Sequence, residues 1–226
     1  MKTIGFIGVG VMGKPMVRNL MKKGFPVSIY TRTKSKVLDV IEEGAVWCED
    51  VKSCAQDKDV IITIVGYPKD VEEVYFGENG IIANAKPGAV LIDMTTTSPK
   101  LSERIYAEAR ARGISALDAP VSGGDSGAKA GTLSIMVGGD REAFDGCQDV
   151  LAAMGTNSIY EGGAGKGQHT KMANQIALAG AIASVSEAIA YARRAGLDVE
   201  TMLASISKGA AGSWQMTNNA PKMVAG

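Results

Sequence analysis

Short apolar runs alternate with amphipathic stretches through the first two-thirds of the 226-residue chain. Residues 60–65 (VIITIV) are almost wholly apolar, which is the pattern of a strand buried on both faces of a parallel sheet. The predicted strands are residues 3–7, 27–30, 45–47, 60–65, 90–93, 115–118, 133–137 and 158–160. The amphipathic stretches predict helices at residues 11–23, 35–43, 100–112 and 141–154. This alternation predicts an α/β fold in which helices cover a mainly parallel sheet.

The pattern changes at about residue 164. Residues 168–195 contain no proline and only one glycine, Gly180, so they predict a single helix roughly 40 Å long. Two shorter helices are predicted at residues 199–207 and 213–222. We therefore expect residues 1–163 to form one domain and residues 164–226 to begin an all-helical second domain. We expect that second domain to be incomplete at residue 226, because no closing element follows the last predicted helix.

Composition and charge narrow the function classes. The 24 Lys and Arg residues balance 24 Asp and Glu residues, which argues against a general nucleic-acid binder and against attraction to an anionic membrane. The three cysteines show no CxxC spacing and His169 is the only histidine, so we expect neither a disulfide framework nor a metal site. The best candidate for a membrane span, residues 176–191, is interrupted by Glu187. We expect a cytoplasmic protein that binds neither nucleic acid nor membrane.

A glycine-rich run follows the first predicted strand and opens the first predicted helix. The run reads Gly8-Val9-Gly10-Val11-Met12-Gly13. GxGxxG alone is a weak signal, but its position between strand and helix is the context expected of a dinucleotide-binding turn. Gly8 would permit the tight turn, Gly10 would let the backbone approach a pyrophosphate, and Gly13 would let helix and strand pack closely. The alternative is a glycine-rich turn with no ligand.

The end of the second predicted strand indicates the choice of cofactor. NAD-binding proteins place an acidic residue there, but this chain has no acid between Tyr30 and Asp39. The basic segment instead reads Thr31-Arg32-Thr33-Lys34-Ser35-Lys36. Arg32 could lie against an adenine and bind a 2′-phosphate, with Lys36 adding positive charge. We therefore predict NADP(H) as the preferred cofactor and NAD(H) as the second choice, the alternative being a solvated basic loop.

Two further motifs follow predicted strands. Asp118 ends a strand and leads into Ser122-Gly123-Gly124, a turn whose hydroxyl and unhindered N–H groups would suit a substrate carboxylate. In the long helix, Lys171, Asn174 and Gln175 lie at positions i, i+3 and i+4 and share one face. Their apolar neighbours in sequence would lower the pKa of the Lys171 amine, although by spacing alone a surface lysine is the simpler interpretation. We expect His169 to point to a different face, as a structural or solvent-facing residue.

The three motifs together resemble the β-hydroxyacid dehydrogenase family, which includes 3-hydroxyisobutyrate dehydrogenase and short-chain semialdehyde reductases. The resemblance covers the whole chain, and residues 118–131 and 165–171 are its most specific parts. It implies a Rossmann-type doubly wound sheet, a Ser122–Gly123–Gly124 site for the substrate carboxylate, and Lys171 as general acid/base with Asn174 orienting the substrate. It also implies contacts with the nicotinamide half of the cofactor from Val65, Gly66, Asp70 and Thr96.

The chain departs from this family at two places. Many relatives have Leu-Pro where this chain has Val65-Gly66, and the family's second lysine, in a Lys-Asp pair, is not found in these 226 residues. The alternatives are a 6-phosphogluconate dehydrogenase-like decarboxylase, which typically has His-Asn after its lysine, and a non-catalytic nucleotide sensor. Imine reductases share the architecture but generally lack this lysine. The Ala-rich stretch 175–195 predicts a homo-oligomer, either a dimer or a tetramer.

Overall fold

The computed structural model describes residues 1–225 and divides the chain into two compact units, Met1–Lys171 and Met172–Gly226. The strands are β1 (Ile4–Ile7), β2 (Val27–Tyr30), β3 (Val46–Trp47), β4 (Val60–Thr63), β5 (Val90–Asp93), β6 (Ser115–Asp118), β7 (Val121–Ser122), β8 (Leu133–Gly139) and β9 (Gly155–Gly162). The helices are α1 (Gly13–Lys22), α2 (Leu38–Glu42), α3 (Val51–Ala55), α4 (Pro68–Tyr75), α5 (Ile81–Asn84), α6 (Pro99–Arg110), α7 (Gly124–Ala130), α8 (Arg141–Gly146), α9 (Gln148–Met154), α10 (Lys166–Arg194), α11 (Val199–Ile206), α12 (Trp214–Asn218) and α13 (Ala220–Ala225).

The first unit contains one sheet with the strand order β3-β2-β1-β4-β5-β6-β8-β7, and β9 also pairs with β8. Strands β1 to β6 run parallel to one another, whereas β8 is antiparallel to both β6 and β7. The order reverses between β1 and β4, which is the switch point where nucleotide ligands bind in such sheets. The predicted Rossmann-type, mainly parallel α/β fold is confirmed.

Two hydrophobic cores lie on the opposite faces of this sheet. Successive residues of β4 point alternately into the two cores: Val60 and Ile62 lie in one core and Ile61 lies in the other. The whole strand is buried, which confirms the prediction drawn from its apolar run. A strand covered on both faces needs apolar residues on both, and so its sequence does not alternate.

Several helices differ from the predictions. The single helix predicted for residues 141–154 is two helices that meet at Cys147, and the helix predicted for residues 213–222 is likewise broken at Asn219. The helix predicted for residues 35–43 is a short 3₁₀ turn, Lys34–Lys36, followed by α2. The short helices α3, α4, α5 and α7 were not predicted, because four to eight residues give too few turns for a period to emerge.

The second unit is wholly helical in its described residues. The second part of α10, with α11, α12 and α13, encloses a small core of Val185, Ile189, Leu203, Met216 and Ala220. By length and composition α10 could cross a membrane, contrary to the sequence expectation, but one such helix is weak evidence because helices of soluble proteins pass the same test.

Candidate active site

The glycine run forms the turn between β1 and α1. Gly8 has φ +102°, a conformation that side chains rarely allow, and a Cβ there would overlap the Ile64 carbonyl. Gly13 is buried, and a Cβ at this position would overlap the carbonyl oxygen of Gly8. Around Gly10, in contrast, no atom lies within 4 Å of a Cβ position. The first and third glycines therefore allow close packing, and the second faces open space.

That open space is a cleft of about 710 Å³ beside the switch point of the sheet. It is bounded by the glycine turn, the end of β2, the loop after β4, and residues 73–80. The cleft lining includes most of the residues predicted to bind cofactor: Gly8, Gly10, Val11, Met12, Gly13, Thr31, Arg32, Val65, Gly66 and Asp70. Sequence reasoning missed Asp50, Val51 and the segment of residues 73–80, all of which except Tyr75 line the cleft.

Four residues of the predicted cofactor set do not line the cleft. The side chain of Val9 belongs to a hydrophobic core, which leaves only its backbone available to a ligand. Thr33, Lys36 and Thr96 are exposed, outside the lining. The structure thus brings ten of the fourteen predicted residues to one cavity.

The acidic residue nearest to the end of β2 is bound elsewhere. Asp39 accepts hydrogen bonds from Lys14 Nζ at 2.9 Å and from Arg18 Nη2 at 2.7 Å. These cations, Lys14 foremost, lower the pKa of Asp39 to about 2. The side chain of Arg32 is 77% exposed, and its Nη1 lies 3.4 Å from Asp70 Oδ1. Of the charged side chains that follow β2, Arg32 therefore lies at the cleft, whereas Asp39 is held by Lys14 and Arg18 away from it.

The loop after β5 supports the loop after β4. Thr95 Oγ1 accepts the N–H of Val65 at 3.0 Å, and Asp93 Oδ1 accepts the N–H of Thr95 at 3.0 Å. Asp93 is 2% exposed, and its Oδ2 has no hydrogen-bond partner among residues 1–225. Burial, which penalises the charged form, raises the pKa of Asp93 to about 6. Gly66 and Asp70 lie just beyond, where Asp70 Oδ2 accepts the N–H of Tyr67 at 3.0 Å.

The predicted turn at residues 122–124 is partly regular structure. Ser122 ends the short strand β7, opposite Ser134 of β8, and Gly124 begins α7, so the predicted turn joins a short strand to a helix. Between them, Gly123 has φ +132°, which a residue with a side chain would rarely adopt. The hydroxyl of Ser122 forms no hydrogen bond within the described chain. It is therefore free to bind a ligand.

The beginning of α10 is attached to the carboxyl ends of β5 and β6. Asp118, the last residue of β6, accepts the N–H of Gly165 at 2.8 Å and the N–H of Gln168 at 2.9 Å. The Gln168 side chain donates to the carbonyl of Thr95 at 2.7 Å and accepts the N–H of Thr97 at 3.0 Å. Sequence reasoning did not identify Gln168.

Lys171 lies one turn after Gln168 and is only 8% exposed. Its amine makes no hydrogen bond or ion pair with any residue in the described range, and burial lowers its pKa. The expected cause needs correction, since Met172 and Ile176 are 54% and 68% exposed and form no apolar wall. His169 is exposed, as expected, and Asn174 donates to the side chain of Gln175 at 3.0 Å.

The described residues provide a cleft that is open to a ligand and an amine without a partner. Within residues 1–225 no group of three His, Cys, Asp or Glu residues is placed to hold a metal ion, and the three cysteines are buried free thiols. An open cleft with a bare backbone turn can admit a dinucleotide. An amine of lowered pKa gives up its proton more readily than a solvated lysine does.

Comparisons with known proteins agree with this geometry. Residues 3–163 match the family model described as the NAD binding domain of 6-phosphogluconate dehydrogenase. Residues 165–226 match the model described as NAD-binding of NADP-dependent 3-hydroxyisobutyrate dehydrogenase.

Individual relatives match over nearly the whole chain. The uncharacterized oxidoreductase YkwC of Bacillus subtilis (strain 168) is 57% identical over 225 residues, 100% of this chain and 78% of the relative. The 3-hydroxyisobutyrate dehydrogenase of Pseudomonas aeruginosa is 36% identical over 216 residues, 96% of this chain and 72% of the relative. The structure of Mycobacterium tuberculosis 3-hydroxyisobutyrate dehydrogenase with L-serine has 32% identity and a TM-score of 0.89, covering 98% of this chain and 75% of that one. The chain therefore belongs to the β-hydroxyacid dehydrogenase family of NAD(P)-dependent oxidoreductases.

Proposed function

We propose that this protein interconverts a short β-hydroxy acid and its semialdehyde or keto acid, with NADP(H) as preferred cofactor and Lys171 as general acid/base. The observation that carries the proposal is the amine of Lys171, a residue only 8% exposed, which has no hydrogen-bond or ion-pair partner among residues 1–225. Desolvation lowers its pKa, so that the amine can give up a proton and take it back. A surface lysine, the simpler interpretation of the spacing, would be solvated.

The cleft fits a dinucleotide. The bare backbone at Gly10 leaves room for a pyrophosphate, and the turn made by Gly8 directs the chain into the N-terminus of α1. The bound nicotinamide would supply or accept the hydride. Val65 and Gly66 would bound the nicotinamide side of the cleft, with the Val65 amide held by Thr95.

The chain's own groups would then do three things. The Ser122 hydroxyl and the Gly123 and Gly124 amides would hold the substrate carboxylate. Lys171 would donate a proton to the carbonyl oxygen during reduction, and withdraw the hydroxyl proton during oxidation. Asn174 would help to orient the substrate. Fixing the carboxylate beside the cofactor supplies part of the rate enhancement, because the reacting atoms are held in place.

The preference for NADP(H) is supported by the cation at the end of β2. Arg32 lies on the cleft, whereas Asp39 is occupied by Lys14 and Arg18. Lys36 and Thr33 are exposed nearby in the chain and would add to the 2′-phosphate contact. The second family model is also described by an NADP-dependent enzyme. A lower KM for NADH than for NADPH would contradict this preference.

The substrate class is supported by the relatives' names, which include a 3-hydroxyisobutyrate dehydrogenase and a related structure with L-serine. The test is a coupled screen with NADPH and NADP⁺. The oxidative arm uses 3-hydroxyisobutyrate and L-serine. The reductive arm uses glyoxylate and the succinic, tartronate and methylmalonate semialdehydes. We expect turnover of at least one carboxylate substrate, and none of its uncharged amide analogue.

The rival functions predict different results in the same screen. A decarboxylating enzyme would release CO₂ from 6-phosphogluconate, and the match of residues 165–226 to a 3-hydroxyisobutyrate dehydrogenase model argues against it. A nucleotide sensor would bind NADPH with no turnover of any substrate. Either result would contradict the proposed dehydrogenase.

We also propose the domain organisation and assembly expected from the sequence. Residues 1–163 would bind the nucleotide, and residues 164–226 would belong to a helical domain through which a cytoplasmic homo-oligomer forms. Exposed apolar side chains on α10, among them Met172, Ile176 and Tyr191, support an interface with a second copy. Light scattering should give twice or four times the chain mass, and Ile176→Glu should lower it.

A further inference from the structure

The side chain of Gln168 joins two parts of the first unit that are far apart in sequence. Its amide nitrogen donates to Thr95, 73 residues away, and its amide oxygen accepts from Thr97, 71 residues away. The residue is 2% exposed, so both hydrogen bonds are shielded from water. Burying an amide is costly unless both of its ends are paired, as they are here.

One end of this connection leads to the cofactor cleft and the other leads to the proposed acid/base. On one side, Thr95 holds the Val65 amide in the wall of the cofactor cleft. On the other side, Gln168 precedes Lys171 by three residues on α10, so the two lie on neighbouring positions of one helix face about 5 Å apart. The backbone N–H of Gln168 is also held, by Asp118 at 2.9 Å.

We propose that Gln168 is a positioning residue. It fixes the position of Lys171 along α10 relative to the nicotinamide side of the cofactor cleft. The inference rests on the proposed function, since it assigns to Gln168 the placing of the proposed acid/base. The residue itself touches neither cofactor nor substrate in this account. It acts by tying the first turn of α10 to the loop after β5.

Simple packing would not need this amide. A methionine has nearly the same length and volume, and would fill the site without the cost of burying polar atoms. A glutamine at this position makes two directional hydrogen bonds. Its donor and its acceptor can both be paired in only one position of the helix turn against residues 95–97. Displacements of 1 Å near a reacting group can lower a rate by about 100-fold.

The test compares Gln168→Met, which removes both hydrogen bonds, with Gln168→Glu, which keeps the acceptor for Thr97. His169→Gln is the matched control, since His169 is the exposed neighbour. We expect Gln168→Met to lower kcat by about 10-fold or more, with the NADPH dissociation constant within about threefold of wild type. Its pH profile should also change, because Lys171 would be less uniformly buried.

The Gln168→Glu variant adds a readout that loss of packing would not give. When the introduced carboxyl is protonated it can donate to Thr95 again, and when ionised it cannot. Its kcat relative to wild type should therefore recover as pH falls. This comparison also serves if Gln168→Met is too unstable to assay. A ratio that is flat with pH, in a folded variant, would contradict the proposal.

A measurement without cofactor or substrate completes the test. Amide hydrogen exchange of residues 95–97 and 163–170 should become faster together in Gln168→Met, and should not change in His169→Gln. Unchanged exchange, or a kcat within twofold of wild type, would overturn the role of Gln168. If the wild-type protein turns over no substrate, the proposed function fails instead, and the exchange result shows separately whether Gln168 couples the two segments.

Discussion

The cofactor cleft and the beginning of α10 satisfy their polar groups in different ways. In the cleft, Gly10 faces open space and the Arg32 side chain is 77% exposed. Near the beginning of α10, Asp93, Asp118 and Gln168 are each at most 4% exposed. Asp93 accepts a backbone N–H from the loop after β5, Asp118 accepts one from α10, and the Gln168 side chain donates to a carbonyl of the loop after β5. The cleft leaves its polar groups for a ligand, whereas the beginning of α10 uses them within the fold, except for the Lys171 amine.

This difference determines what a substitution in each region should do. An exposed side chain in the cleft contributes to ligand binding and little to stability, since surface ion pairs are worth about 0–1 kcal/mol. A buried polar group is coupled to the folding equilibrium, to pH and to the placing of its neighbours. Substitutions of the hydrogen-bonded polar groups near α10 should therefore change several properties together, and those in the cleft should change one.

The largest effect is expected at Lys171, where burial and chemistry coincide. Lys171→Met should lower kcat by about 100- to 10,000-fold, the usual contribution of a positioned acid or base. NADPH binding should be nearly unchanged, and unfolding should need no less denaturant, because the buried amine is replaced by an apolar group of similar length. Steady-state kinetics, NADPH titration by fluorescence and urea unfolding measure the three quantities.

The wild-type pH profile gives the matching control. Burial lowers the pKa of Lys171, so kcat for reduction should fall with rising pH through a value below the ordinary lysine pKa, and kcat for oxidation should rise through it. A Lys171→Met variant that keeps wild-type turnover would remove Lys171 from the mechanism.

The next effect tests the buried acid beside that helix. The pKa of Asp93 is raised from 3.8 to about 6 in the folded state, so between pH 4 and 6 the folded state binds this proton more tightly than the unfolded chain. The stabilisation is therefore complete below about pH 4, and is lost as pH rises through 6. Relative to Asp93→Asn, the wild-type protein should lose up to about 3 kcal/mol of unfolding free energy between pH 4 and 7.

Asp39→Asn is the matched comparison, because the pKa of Asp39 is lowered to about 2 by Lys14 and Arg18. Its contribution to stability should be lost as pH falls below about 4, the opposite direction. Urea unfolding from pH 3 to 8 measures both series. Parallel curves for wild type and Asp93→Asn would show that Asp93 titrates at its ordinary pKa.

Much of the first region could be predicted from the sequence, because its signals are local. The glycine run needs only the strand before it and the helix after it, and the buried strand β4 appears as an unbroken apolar run. The short helices escaped prediction because four to eight residues do not establish a period. Residues 73–80 were missed for another reason, since nothing in their sequence shows that they lie at the same cleft as the glycine turn.

The second region depends on contacts between residues that are distant in sequence, and no local pattern reveals such contacts. Lys171 was identified from the family resemblance, and spacing alone favoured a surface position. Gln168 was missed because both of its side-chain partners lie more than 70 residues away. The apolar neighbours of Lys171 were expected to lower its pKa because they adjoin it in sequence. Met172 and Ile176 are instead exposed, and the lowered pKa is due to the burial of Lys171 itself.

The smallest expected effect lies in the cleft and should be confined to cofactor choice. Arg32→Ala should raise KM for NADPH by roughly 10- to 100-fold, since a hydrogen bond to a charged group is worth about 1.5–3 kcal/mol. KM for NADH and the urea midpoint should stay near wild type, because the 3.4 Å contact with Asp70 is an exposed pair.

Lys34→Ala is the matched control, as Lys34 pairs with Glu49 and lies over the Trp47 ring, outside the cleft lining. If Arg32→Ala raised KM for NADPH and for NADH equally, Arg32 would contact a part of the cofactor that both share and would not determine the preference for NADPH. If Arg32→Ala lowered the free energy of unfolding by as much as the pH-dependent difference between wild type and Asp93→Asn, the contrast between the two regions would not hold.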